Sequence, residues 1–220
     1  SLFWMTIIHQ IAKVFSTHNV NLVYTYLPTS ADKTYFLPPT LTNGSVHGII
    51  VLNVYNERLL RLLAETQIPK VFLDTSSLVS PDELNGDLLL MESRNSVRNI
   101  TAHLLEKGRT LPGFMGDIGY AQSNRERYEG FCQALMEYGL APEKAWMFFD
   151  YHNTFPEAAD YGAWFVAQPV DGRPTAMVCT EDSIAVEIVK SVQGQGLRVP
   201  EALSVVGYDD SMPARLISPA

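Results

Sequence analysis

Cysteine is scarce in this chain: 220 residues hold two, Cys132 and Cys179, in the separate apolar settings GFCQAL and AMVCTE. A disulfide framework and a Cys-based zinc ribbon are excluded, and a reducing compartment suits two buried, inert thiols. Long apolar runs are missing as well, since nothing approaches the roughly 18 consecutive apolar residues of a membrane span. No positively charged leader precedes an apolar core, so the chain reads as cytoplasmic. Positive charge is in the minority, with 16 Lys and Arg against 24 Asp and Glu and a net charge of −8. A surface that coats a phosphate backbone needs clustered basic residues, so any nucleic-acid contact is expected outside this stretch.

Signatures of cofactor and catalytic chemistry are also wanting. GFMGDIGY (113–120) follows a strand candidate, but its G-x-x-G-x-x-G spacing misses the dinucleotide fingerprint and carries no Walker lysine. A tight strand-to-helix turn is the plainer reading. The histidines, His9, His18, His47, His103 and His152, form neither an H-x3-H nor an H-E-x-x-H pair. No G-x-S-x-G elbow presents a serine nucleophile. Neither a cofactor nor a metal is expected.

What is present is a core-forming composition, 46% hydrophobic and 18% charged, arranged in alternation. The chain opens without a start methionine on SLFWMTIIHQIAKVFSTH, an amphipathic helix with Ile7, Ile8, Ile11, Ala12, Val14 and Phe15 at helical spacing. Something is expected to have preceded it. Apolar strand candidates follow at 21–26, 47–52, 70–74, 87–91, 110–115, 145–150, 175–180 and 203–208. Between them lie helix candidates at 57–66, 95–107 (stopped by Gly108), 123–138 (stopped by Gly139), 154–167 (opened by a Thr154 to Glu157 capping box) and 182–193 (stopped by Gly194). Continuous apolar strands separated by helices predict an α/β, doubly wound architecture with parallel sheets covered on both faces. Polar, Pro- and Gly-punctuated sequence from 74 to 87 suggests two lobes, 1–91 and 92–220. Pro112 removes a ladder donor inside its strand candidate, which predicts that the strand is displaced or starts later.

Carboxylates collect at the strand ends: Asp74, Asp117, Asp150, the pair Glu181 and Asp182, and the pair Asp209 and Asp210. Open α/β sheets bind ligands there, yet acids also cap helices, and a glycosidase acid and base would look similar. Arg125 and Arg127 begin a helix just after a strand-end loop, an unfavourable place for cations that suggests a carboxylate or anionic partner. Arg donates in a fork while carboxylates accept, a combination that fits vicinal hydroxyls. Tyr151 could add a flat wall for a sugar, or simply pack at a strand end.

The order HGIIVL, IPKVFLDTS, AHLLEKGRTLPGFMGD, SNRERYEGFCQALMEYGL and PTAMVCTEDSIAVEIVKSVQGQGLRVPEALSVVGYDD resembles the effector-binding core of the lactose/galactose-repressor family of bacterial transcription regulators. The resemblance implies a two-lobed periplasmic-binding-protein type I fold, incomplete at both ends, with the first strand and final crossovers absent. It implies an effector, commonly a sugar, held by Asp74, Arg127 and Asp209, with Tyr151 as an aromatic wall. It also implies a homodimer, operator binding through a helix-turn-helix head outside this chain, and no catalysis, so the chain is not expected to be an enzyme. Phe3 and Trp4 match the start of the family's first helix. One departure stands out: where the family usually reads Asn-Asp, this chain has Glu181-Asp182, which predicts a different hydroxyl pattern or an amine-bearing ligand and adds Glu181 to the site. The alternatives are a periplasmic sugar-binding protein and a carbohydrate-active enzyme using Glu181, Asp182 and Asp209. Arg127→Ala is expected to abolish effector binding with the fold intact.

Overall fold

Phe114 and Met115 are neighbours on one strand, yet each is wholly buried in a different apolar cluster. Period-two alternation sends them to opposite faces of the sheet, and both faces must therefore be covered. The computed structural model describes residues 2–149 and 157–219, so Asp150, Tyr151, His152 and the Thr154 end of the expected capping box lie outside the described residues. Two compact units emerge, Ser1–Met91 with Gly119–Ser123, and Glu92–Ile118 with Asn124–Ala220.

The first unit contains α1 (Leu2–Thr17) and a parallel sheet in the order β1 (Ile49–Leu52), β2 (Lys70–Leu73), β3 (Asp87–Leu89), with α2 (Glu57–Glu65) between the first two strands. Asn56 caps α2 by accepting from the Leu59 N–H at 3.1 Å, and Leu59, Leu60, Leu63 and Ala64 are its buried stripe. Leu60 and Leu63 pack with Phe72, Val79 and Leu84, each such side chain contributing about 1.5–3 kcal/mol on burial. The expected strand at 21–26 does not form. A strand needs a neighbouring backbone for its ladder, and β1, whose described partner is β2 alone, is an edge. Val23, Tyr24 and Tyr26 are left exposed.

The second unit holds a parallel sheet in the order β5 (Trp146–Phe148), β4 (Pro112–Met115), β6 (Ala176–Cys179), β7 (Ser204–Val206). On one face, Phe114, Ala176 and Val178 meet Val97, Leu104 and Leu105 of α3 (Arg94–Glu106) and Phe131 and Leu135 of α4 (Gln122–Glu137). On the other, Met115, Met177 and Cys179 meet Tyr161 and Phe165 of α5 (Tyr161–Ala167) and the stripe Ile184, Ile188, Val192 of α6 (Asp182–Gly194). This is the doubly wound α/β arrangement expected. Both thiols lie in these layers, and burial raises their pKa values, which keeps them protonated and unreactive.

Details of the boundaries have local causes. Pro112 is the first residue of β4, where no ladder donor is required of it. Gly108 and Gly139 end α3 and α4 in the left-handed region (φ 81° and 72°), as glycine at that position allows. Gly194, expected to stop α6, is instead its last residue, and the left-handed turn falls at Gly196. Within the described residues, α5 begins at Tyr161 after a short 3-10 turn at Ala158–Asp160. The short helix α7 (Met212–Leu216) had no periodic signal. Among the described residues no helix is long and apolar enough to cross a membrane.

Candidate functional site

Strand ends in this protein turn on acidic and amide residues with positive φ: Asn53 after β1 (56°), Asp74 after β2 (66°), and Asp209 and Asp210 after β7 (105° and 52°). Asn and Asp tolerate this region because their short polar side chains bond locally. Asp209, furthest from the left-handed helical value, carries the most strain, and such strain concentrates at functional sites.

Asp74, in the first unit, is 4% exposed and heavily engaged. Its Oδ1 accepts from the backbone N–H groups of Thr75 at 2.8 Å and Ser123 at 3.3 Å, and its Oδ2 accepts from the Ser123 hydroxyl at 2.5 Å. A carboxylate offers about four acceptor sites, so one is left over. Asp74→Ala would orphan these donors and place alanine at positive φ. The expected loss is about 2–3 kcal/mol, read as a lower urea midpoint.

In the second unit, Arg127 is 4% exposed. Its Nη1 donates to the Thr180 carbonyl and, at 3.4 Å, to Asn124 Oδ1. Its Cζ sits 3.7 Å from the centroid of the Tyr208 ring, a cation–π contact. The Tyr208 hydroxyl in turn donates to the Glu92 carbonyl, which holds the ring in place. The Arg127 Nε–H has no acceptor among the described residues. Because α4 begins at Gln122, Arg127 lies beyond the first helical turn, where the dipole acts most strongly. Burial, more than the dipole, is thus what calls for its partners, a correction to the sequence-level argument.

Asp209 lies within the field of Arg127, Glu181 and Asp182. Burial pushes its pKa from 3.8 up to about 6; Arg127 opposes this, and the two neighbouring carboxylates add to it. Its half-buried carboxylate accepts no hydrogen bond among the described residues. The other acids are occupied: Asp182 Oδ2 accepts from the Ser211 N–H at 2.6 Å, Glu181 Oε1 from the Ser183 hydroxyl at 2.6 Å, and Asp210 is ion-paired to Arg215. A carboxyl group with a raised folded pKa supports the native state when protonated and loses that support as pH rises from about 3.8 to about 6. Asp209→Asn should therefore stabilise the ligand-free chain at pH 7, by about 1 kcal/mol once solvent screening of a half-buried group is allowed for. The gain should shrink below pH 6, a trend that denaturation at pH 7 and pH 4.5 would reveal.

Arg127, Glu181 and Asp209 are thus brought together, while Asp74 belongs to the first unit and Tyr151 lies outside the described residues. Sequence reasoning missed Tyr208. Its only signal was its place beside Asp209 in VVGYDD. A cavity of about 440 Å³ opens on the Asp209 side, with Asp182, Tyr208, Asp209, Asp210 and Arg215 as its polar lining and Val186, Val189 and Ile217 as its apolar lining; Arg127 and Glu181 are not part of that lining. Within GFMGDIGY, a Cβ on Gly113 would lie 2.5 Å from Met177 Sδ, so that glycine serves strand packing.

Residues 101–220 match the family described as periplasmic binding protein-like domain. The chain belongs to that family. Among relatives of this periplasmic binding protein-like chain is the HTH-type transcriptional repressor PurR of Glaesserella parasuis, 29% identical over 180 residues, covering 81% of this chain and 51% of that protein. Another is the NTD biosynthesis operon regulator NtdR of Bacillus subtilis, 26% identical over 196 residues, covering 79% of this chain and 59% of the relative. The chain spans about half the length of the curated repressors it matches. A LacI family transcriptional regulator from Enterococcus faecium with ribose bound superposes with a TM-score of 0.75 at 19% identity, covering 100% of this chain and 77% of that one. One from Lactobacillus casei with glucose bound gives 0.71 at 18%, covering 96% and 77%. At these identities the structural likeness establishes the fold, and the resemblance to the repressor family's effector core is upheld. The named relatives are a transcriptional repressor and an operon regulator, which lends the glycosidase reading of Glu181, Asp182 and Asp209 no support.

Proposed function

We propose that this chain is the effector-binding core of a transcriptional repressor, and that its effector is a sugar or closely related polyol. The observation that carries the reading is the nearness of Arg127, a buried guanidinium whose Nε–H lacks an acceptor among the described residues, to Asp209, a half-buried carboxylate that lacks a donor among them. A hydroxyl both donates and accepts and can satisfy each. The Tyr208 ring holds the guanidinium plane in one orientation, so little ordering is left for the ligand to bear. Glu181 is a further acceptor in this proposal, and Asp74 and Tyr151 remain the contacts that the family resemblance assigns. Solved relatives contain ribose and glucose, which supports a carbohydrate class without selecting a member of it.

Regulation requires only that the effector bind one arrangement of the protein more tightly than another. A coupling of about 1–3 kcal/mol gives roughly 5–150-fold control of DNA affinity. DNA contact through a helix-turn-helix head outside this chain, a homodimeric state and a cytoplasmic location belong to the same proposal. The net charge of −8 fits a core that leaves phosphate contact to another segment. A thermal-shift screen of mono- and disaccharides, sugar phosphates and nucleosides tests it. Ligand binding to the native state raises the melting temperature by mass action, so a saturable rise with a sugar is expected. A screen in which only nucleosides stabilise would overturn the sugar assignment.

A further inference from the structure

Charge at the ends of β6 and β7 is out of balance. Glu181 and Asp182 both act on Asp209, and Arg127, from α4, is a cation that opposes them. Asp210 and Arg215, on the α7 side, neutralise each other in an exposed pair. The Arg127 charge is itself partly engaged, by the Thr180 carbonyl and the face of Tyr208. Three carboxylates thus lie around one buried guanidinium, in a place where Asp209 is already half removed from water and without a hydrogen-bond donor among the described residues.

A neutral polyol would satisfy individual lone pairs but leave the excess negative charge, and would bury it further as the ligand displaced water. A protonated amine supplies the missing charge and up to three donors at one point. The second requirement is independent of the acids. Arg127 is 4% exposed, and its Nε–H lacks an acceptor among the described residues. That N–H calls for a ligand oxygen, which a bare amine would not bring.

We propose that the effector is an amino sugar, its protonated amine received by Asp209 and Glu181 and a neighbouring hydroxyl oxygen accepting from Arg127 Nε–H. The assignment rests on the sugar-sensing reading and narrows it to a cationic member of the class. Acidification should weaken it selectively, because Asp209 takes up a proton near pH 6 and then ceases to attract a cation. Arg127, Glu181, Asp182, Asp210 and Arg215 are the other charged groups around it.

Calorimetric titration of the 220-residue chain at pH 7 with D-glucosamine, D-galactosamine and D-mannosamine, each beside its parent hexose and its N-acetyl form, decides the matter. One amine should bind at least about tenfold more tightly than both neutral counterparts, the equivalent of one charge-assisted hydrogen bond. That preference should fall at pH 5 and be largely lost in Asp209→Asn. Neutral sugars binding as tightly as the amines would overturn this inference and leave the sugar reading standing. Binding by none of these sugars, with stabilisation by another class in the thermal screen, would overturn both. An amine preference undiminished in Asp209→Asn would overturn the role given to that residue.

Discussion

Replacing Arg127 with alanine should reduce effector affinity by more than about 100-fold, the loss of roughly two charge-assisted contacts. The side chain offers an unfilled N–H to the ligand and is also the cation facing Asp209. Without it, Asp209 would face only Glu181 and Asp182, and its pKa would rise further above the ordinary value. More of it would be protonated at neutral pH. The sequence alone suggested that this substitution would leave the fold untouched. Burial of the guanidinium against Thr180 and Tyr208 changes that expectation: about 2 kcal/mol of stability should go with it, the lost contacts being partly offset by relief of the desolvated charge. Arg127→Lys should recover some of that stability while binding stays weak, because an ammonium cannot reproduce a planar fork over the ring. Calorimetry beside urea denaturation separates the two effects. Undiminished affinity in Arg127→Ala would refute the site.

The largest effect on stability is expected from Gly130→Ala, at a position packed between two helices. A Cβ there would lie 2.1 Å from the Arg94 carbonyl oxygen and 3.1 Å from the Arg98 nitrogen. Both are backbone atoms of α3 and cannot rotate away. The helices α3 and α4 would have to separate by about an ångström, opening the layer of Leu104, Phe131 and Leu135 against Phe114. The ion pairs that tie the same two helices, Arg94 to Glu129 and Arg98 to Glu137, are half-exposed and recover little. Alanine gains about 1 kcal/mol in helix propensity over glycine, whereas overpacking against backbone costs about 3 kcal/mol or more. The second term wins. A urea midpoint that fell, with an unchanged slope, would show it; a midpoint equal to or above that of the parent chain would mean that the close approach is not limiting.

Much of this protein was legible without coordinates, for physical reasons that can be traced to single residues. The apolar stripe of α2 and the glycines after α3 and α4 encode helices through local periodicity and backbone freedom. Strands such as AMVC at 176–179 are apolar throughout because both faces of their sheet are covered. Where pairing mattered, local pattern was insufficient. NLVYTY at 21–26 has strand composition and forms none, because a strand exists only with a neighbour to receive its hydrogen bonds.

The same division runs through the site. Residue order alone placed acids beyond the strands and Arg127 near them, and it identified the family resemblance through GLRVPEALSVVGYDD. The motif could not say which of those acids were already spoken for. Asp74 is tied to Thr75 and Ser123, Asp182 to Ser211 and Asp210 to Arg215, while Asp209 has no donor among the described residues. Nor could it raise Tyr208 from a strand-end aromatic to the platform under the guanidinium. Sequence by itself determined the α/β alternation, the acidity and the types of side chain at the strand ends, since these are properties of composition and short-range order. Tertiary structure alone decided which carboxylate is desolvated and unpartnered, because hydrogen-bond satisfaction and burial depend on residues that meet only once the chain has folded.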